Sequence, residues 1–122
     1  MEANAETAAE RKCPIETVMH LLGGKWKPLI LWHLLENTRR FSELEKLIPE
    51  VTQKMLAQHL RELEADRLVT RTIYPSVPPK VEYMLSEYGK TMVPVLETMC
   101  AWGENHNRLN LGPASPITAQ SV

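Results

Sequence analysis

At 122 residues the chain has room for one hydrophobic core and not for two, so any function belongs to a single domain or to an assembly of it. A hydrophobic content of 43%, a charged content of 24% and a formal net charge of -1 are ordinary for a globular protein, and no apolar run approaches the roughly 18 residues that span a bilayer. Cys13 and Cys100 lie far apart with no CxxC spacing, which excludes a disulfide framework and a structural zinc site as organising principles.

The near-neutral total argues by itself against nucleic-acid binding, but the charges are unevenly placed. Lys25, Lys27, Arg39 and Arg40 face only Glu36 in their stretch, and neither Lys54 with Arg61 nor Arg71 with Lys80 has an acid between them. Eight of the fifteen acids lie toward the two ends, as Glu2, Glu6, Glu10 and Glu16 and again as Glu82, Glu87, Glu97 and Glu104. A neutral sum thus leaves room for a basic face.

In chain order, residues 1–12 carry three glutamates and no apolar core, so they read as a mobile tail and not as a secretory signal, and a cytoplasmic protein is expected. Ile15, Val18, Met19 and Leu22 recur at helical spacing, an amphipathic helix stopped by Gly23-Gly24. A second helix starts at Trp26, where Pro28 is tolerated in the first turn, and its run LILWHLL is apolar nearly all round, as a buried central helix should be. Ser42 to Glu45 reads S-x-x-E, the pattern of a capping box, and opens a short helix ending before Pro49.

Thr52 caps a fourth helix from Gln53 to about Asp66. At about 100° per residue, Leu56, Leu60 and Leu63 fall on one side, while Gln53, Lys54, Ala57, Gln58 and Arg61 share the other. Val69 to Tyr74 and Lys80 to Leu85 have strand composition and alternation, joined by the stiff PSVPP of residues 75–79 as a protruding loop. Ser86 is expected to cap a long last helix, kinked at Pro94, and residues 110–122 to form a second mobile tail.

Helix, helix, short helix, capped helix, hairpin, helix is the order of a winged helix-turn-helix. The expected fold class is α+β, mostly α, with a two-stranded wing, flanking dimerisation helices, and one domain over residues 13–109. In that geometry the second helix of the pair enters the major groove of double-stranded DNA with its N-terminal side chains at base edges. Gln53, Lys54 and Gln58 are then the candidates for base readout, and Lys27, Arg39, Arg40, Arg61, Arg71 and Lys80 for phosphate contacts that set register. The plainer alternative is that such side chains only solvate a helix face.

The stretch from Cys13 to Trp102 resembles the HxlR family of bacterial regulators. Three motifs carry the likeness, CPIETVMHLLGGKWKPLILWHLL, RRFSELEKLIPEVTQKMLAQHLRELEADRLVTR and VPPKVEYMLSEYGKTMVPVLETMCAWG. The resemblance implies a winged-helix homodimer, joined through its first and last helices, that binds a palindromic operator and regulates a neighbouring gene. Two positions depart from the family pattern: Arg67 stands in place of the usual Gly, a strain of about 1 kcal/mol if the backbone there is left-handed, and Ser86 in place of Thr, a swap that keeps the cap.

Cys13 follows Arg11 and Lys12 at the mouth of the first helix, a setting of cations and free amides that favours a reactive sulfur. Relatives of the family sense oxidants or electrophiles through a cysteine at the matching place, so Cys13 is the candidate redox sensor, against a packing role at a dimer seam. Cys100 reads as inert core. His20, His33, His59 and His106 lack the clustering of a metal site, and His33 reads as a satisfied core or interface histidine. Trp26, Trp32 and Trp102 could line a small-molecule effector pocket but fit packing better. With no phosphate loop, nucleophile elbow or paired carboxylates, neither an enzyme nor a cofactor is expected. The remaining rival is a winged helix used only to bind proteins.

Overall fold

A computed structural model of the chain describes residues 13–109, and both expected tails lie outside the described residues. Two compact units are present, the first ending at Lys90 and the second starting at Thr91. The order is α1 (Pro14–Leu21), α2 (Trp26–Glu36), α3 (Phe41–Leu47), α4 (Gln53–Ala65), β1 (Val69–Tyr74), β2 (Lys80–Leu85), a 3-10 turn (Gly89–Met92) and α5 (Val93–Arg108).

The core of the first unit is aliphatic: Ile30, Leu31 and Leu34 from α2, Leu44 from α3, Leu56, Leu60 and Leu63 from α4, with Leu68, Val69 and Leu85 from the hairpin. Each fully buried leucine or isoleucine contributes about 2 kcal/mol of transfer free energy, before the entropy of ordering the chain is set against it. Helix α2 packs on α3, α4 and β2, which explains why its apolar residues run nearly all round. β1 and β2 pair antiparallel in a register running from Val69 opposite Leu85 to Tyr74 opposite Lys80. Arg39 adds a short third rung, its N–H donating to Tyr83 O at 3.0 Å and Tyr83 N–H donating back at 2.8 Å.

That rung corrects the expected start of α3. It holds the chain extended through Arg40, so the helix begins at Phe41, and Glu43 Oε1, not Glu45, accepts the Arg40 N–H at 2.6 Å. A guanidinium has no acceptor to offer in return, so only the carboxylate half of a capping box forms. Thr52 caps α4 as expected, its Oγ1 accepting from Met55 N–H at 3.1 Å.

At its other end α4 closes with a Schellman motif: Leu68 N–H donates to Leu63 O at 3.0 Å and Arg67 N–H to Glu64 O at 3.0 Å. Leu63 and Leu68, both buried, make the apolar contact that goes with it. Arg67 accordingly has φ +68°, the left-handed backbone that its place in the chain implied.

Ser86 is a cap, but of the 3-10 turn: its Oγ accepts from Gly89 N–H at 2.8 Å and donates to Arg67 O at 2.5 Å. The long helix starts later, at Val93, with Pro94 in its first turn where a missing N–H costs nothing, so the kink expected there is absent.

Among the described residues two apolar stripes are exposed. On α1, Ile15 is 68% and Met19 65% exposed, although they form its apolar side. On α5, Val95, Met99 and Trp102 recur at helical spacing and are exposed, Trp102 by 69% and stacked on His106.

Candidate nucleic-acid interface

The three leucines of α4 face the core, and this fixes by helix geometry what points away. Gln53, Lys54, Gln58 and Arg61 are all exposed, with Ala57 half-buried among them. Gln53 and Lys54 occupy the first turn, directly after the Thr52 cap. The exposed face of α4 and the hairpin meet in a cleft of about 340 Å3 lined by Ala57, Arg61, Glu64, Arg71 and Tyr83. Register places Arg71 opposite Tyr83, so two guanidinium groups and a phenol line one groove beside the helix. Such donors match the oxygens of a phosphate.

The other sequence-derived phosphate candidates divide. Arg40 is exposed just ahead of α3. Arg39 is turned inward: its Nε donates to His33 O at 3.1 Å and its second guanidinium nitrogen lies 3.3 Å from Glu36 Oε1. Lys80 lies 3.5 Å from Glu82 Oε2 and over the Tyr74 ring at 5.4 Å.

Lys27 requires a correction. It is not the free surface cation expected there: it is 8% exposed, and its Nζ is 2.8 Å from Glu62 Oε1. No local sequence pattern reports this pairing, because it joins α2 to α4.

Glu62 is the residue that sequence reasoning missed. Its Oε2 accepts from Gln58 Nε2 at 2.8 Å, while Gln58 Oε1 accepts from Arg61 at 2.9 Å. The hydrogen bond from Gln58, then that from Lys27, lower its pKa from an ordinary 4.5 to about 2. The only available signal was the i, i+4 spacing of Gln58 and Glu62. His59 Nδ1 also approaches Glu62 Oε1, at 3.6 Å.

Cys13 is exposed at the N-terminal end of α1, its carbonyl accepting from Glu16 N–H at 2.8 Å. Cys100 is half-buried, not core as its position on α5 suggested. Nor is the His33 ring satisfied as expected: among the described residues its buried Nδ1 has no hydrogen bond, and it lies 3.6 Å from Glu36 Oε1. No cluster of three metal-ligating side chains occurs among the described residues. No helix among them is long and apolar enough to cross a membrane.

A short helix, a tight link, a second helix with a buried leucine stripe and an exposed polar face, and an antiparallel hairpin alongside define a winged helix-turn-helix. The chain belongs to the HxlR-like helix-turn-helix family, whose model matches residues 21–110. It is 49% identical over 108 residues, 88% of this chain and 86% of the relative, to the HTH-type transcriptional regulator YtcD of Bacillus subtilis. Among solved structures it resembles the redox regulator HypR in its reduced form, with TM-score 0.76 and 43% identity over 80% of this chain and 96% of that one. It also resembles diamide-treated YodB from B. subtilis, with TM-score 0.66 and 40% identity over 78% of this chain and 95% of that one. The chain is a helix-turn-helix transcriptional regulator.

Proposed function

We propose that the chain is a cytoplasmic, sequence-specific DNA-binding repressor of an adjacent gene, and that it occupies a palindromic operator as a homodimer, with residues 13–109 forming its DNA-binding and dimerisation domain. The observation that carries this reading is the capped N-terminus of α4, where Gln53, Lys54 and Gln58 stand exposed above a buried leucine stripe. In the major groove, Gln pairs with adenine and Lys donates to guanine acceptors. Arg40, Arg61 and Arg71 take the phosphates, Arg61 through the guanidinium N–H groups it does not give to Gln58, with Arg39 and Lys80 free to join them only by leaving their present partners. The exposed stripes of α1 and α5 support the dimer, because exposed apolar faces of this kind mark association surfaces. Half-sites on one face of the duplex then lie about 10 base pairs, or a multiple of that, apart.

The test is fluorescence anisotropy of the full chain on labelled intergenic DNA from beside its own gene, against scrambled competitor, over a salt series. Specific binding that survives competitor and weakens steeply with salt supports the reading. Binding indifferent to sequence, unchanged by alanine at Gln53, Lys54 and Gln58, favours a protein-interaction module instead.

A second reading is that oxidants or electrophiles reach the DNA site through Cys13. Its support is the exposure of Cys13 beside α1 and the likeness to the redox regulator HypR and to diamide-treated YodB. A Cys13→Ser chain that keeps operator affinity and ignores diamide, where the wild type releases DNA, supports it. Equal weakening of both by diamide removes it.

A further inference from the structure

We infer that Glu62, clamped from α2 by Lys27, is a positioning residue for base readout, because it fixes which end of the Gln58 amide donates and which accepts. This rests on the reading of α4 as the base-reading helix.

The two oxygens of Glu62 do separate jobs. Oε1 takes the Lys27 ammonium at 2.8 Å, and Oε2 takes one N–H of Gln58 at 2.8 Å. On its other side the Gln58 Oε1 accepts from Arg61 at 2.9 Å. A carboxylate can only accept and a guanidinium can only donate. Turning the amide over would set its oxygen against the Glu62 carboxylate and its N–H groups against Arg61, trading two charge-assisted hydrogen bonds for two repulsions. The amide polarity is therefore set by chemistry on both sides.

What remains on Gln58 is one N–H and one acceptor lone pair, the complement that a bidentate contact to adenine uses. A glutamine free on a helix surface would sample both amide orientations and several rotamers, and binding would then carry the cost of selecting one. Lys27 makes the difference between a passing i, i+4 contact and a fixed one. It is 8% exposed and anchored in α2, so the carboxylate it holds cannot swing to solvent with the rest of a surface side chain.

The experiment uses a duplex selected from a random library by the wild-type full chain, and the same duplex with each base pair replaced in turn. Affinities are measured for wild type, Glu62→Ala, Glu62→Gln, Gln58→Ala and Gln58→Ala/Glu62→Ala, with thermal melting of each. Glu62→Ala is expected to lower discrimination about three- to tenfold at the base pair that Gln58→Ala identifies, with affinity for unrelated DNA unchanged. Glu62→Gln offers one amide oxygen where two acceptors are needed; the Lys27 ammonium takes it, an N–H is turned toward Gln58, and discrimination is expected to fall as in Glu62→Ala. In the Gln58→Ala background the Glu62 substitution has no further effect on discrimination, since its route is through the amide.

The inference is overturned if Glu62→Ala leaves the single-base profile unaltered, if it weakens all duplexes equally, or if its effect adds in full to that of Gln58→Ala. If the wild type selects no sequence at all, it is the base-reading role of α4 that has failed. Both Glu62 variants keep the leucine stripe intact, but each deprives the buried Lys27 ammonium of its carboxylate, so a lowered melting temperature is expected and discrimination is compared well below it.

Discussion

Arg67 carries a left-handed backbone that only glycine adopts without penalty, in a Schellman closure whose hydrogen bonds are all main-chain. Its side chain is exposed and nothing among these bonds depends on it. Arg67→Gly is therefore expected to stabilise the chain by up to about 0.5 kcal/mol, the strain relieved less the added freedom of the unfolded chain, read as a slightly higher urea midpoint. Glu62 makes stability depend on acid. Its folded pKa lies near 2 and its ordinary value at 4.5, so the contribution of its ionised form is complete above about pH 4.5 and disappears as pH falls toward 2. Lys27, Gln58 and His59 meet it directly, and His20 and Asp66 line with Lys27 and Glu62 a second cleft, apart from the groove beside the hairpin. Urea unfolding at about pH 5 and about pH 3 should show a smaller loss in Glu62→Gln than in the wild type. Over the neutral range the Gln58 clamp should be indifferent to pH.

At the scale of elements, the turn after β2 leaves no room for a side chain at Gly89. A Cβ on Gly89 would stand 2.0 Å from Leu68 O, a main-chain atom already accepting the Ser86 N–H at 3.0 Å. Gly89→Ala must push the end of β2 off the end of α4, and a loss of about 3 kcal/mol is expected, measured by thermal or urea unfolding. Sequence patterning did not single out this glycine, since it stands between a cap and a helix like many others. By contrast both strands were legible to the residue, because alternation and the flanking prolines agreed. Helix α4 was legible for the same reason, its leucine spacing and Thr52 cap pointing the same way. The misplaced starts of α3 and α5 share one cause. Each depends on a contact with a distant segment, Arg39 with Tyr83 and Ser86 with Arg67, that no local pattern reports. In the candidate site, exposure could be read from the wheel, but the engagement of Lys27 by Glu62 could not.

For the whole molecule, the proposed dimer makes the exposed side of α1 a test of assembly and not of folding. Met19 is 65% exposed, so Met19→Glu should leave the melting of the first unit nearly unchanged while moving the sedimenting species toward monomer. Affinity for a two-half-site operator should then fall by at least about tenfold, because the second half-site no longer benefits from the first, while a single half-site is bound as before. The reciprocal bonds between Arg39 and Tyr83 matter at this scale too. They fasten the entry to the helix-turn-helix onto the middle of the hairpin, so a push on the wing is transmitted to α3 as one lever instead of being lost in a loose joint. Since main-chain atoms alone make the fastening, it would survive a change of either side chain, whose own contacts lie elsewhere: Arg39 with His33 and Glu36, Tyr83 in the groove beside α4.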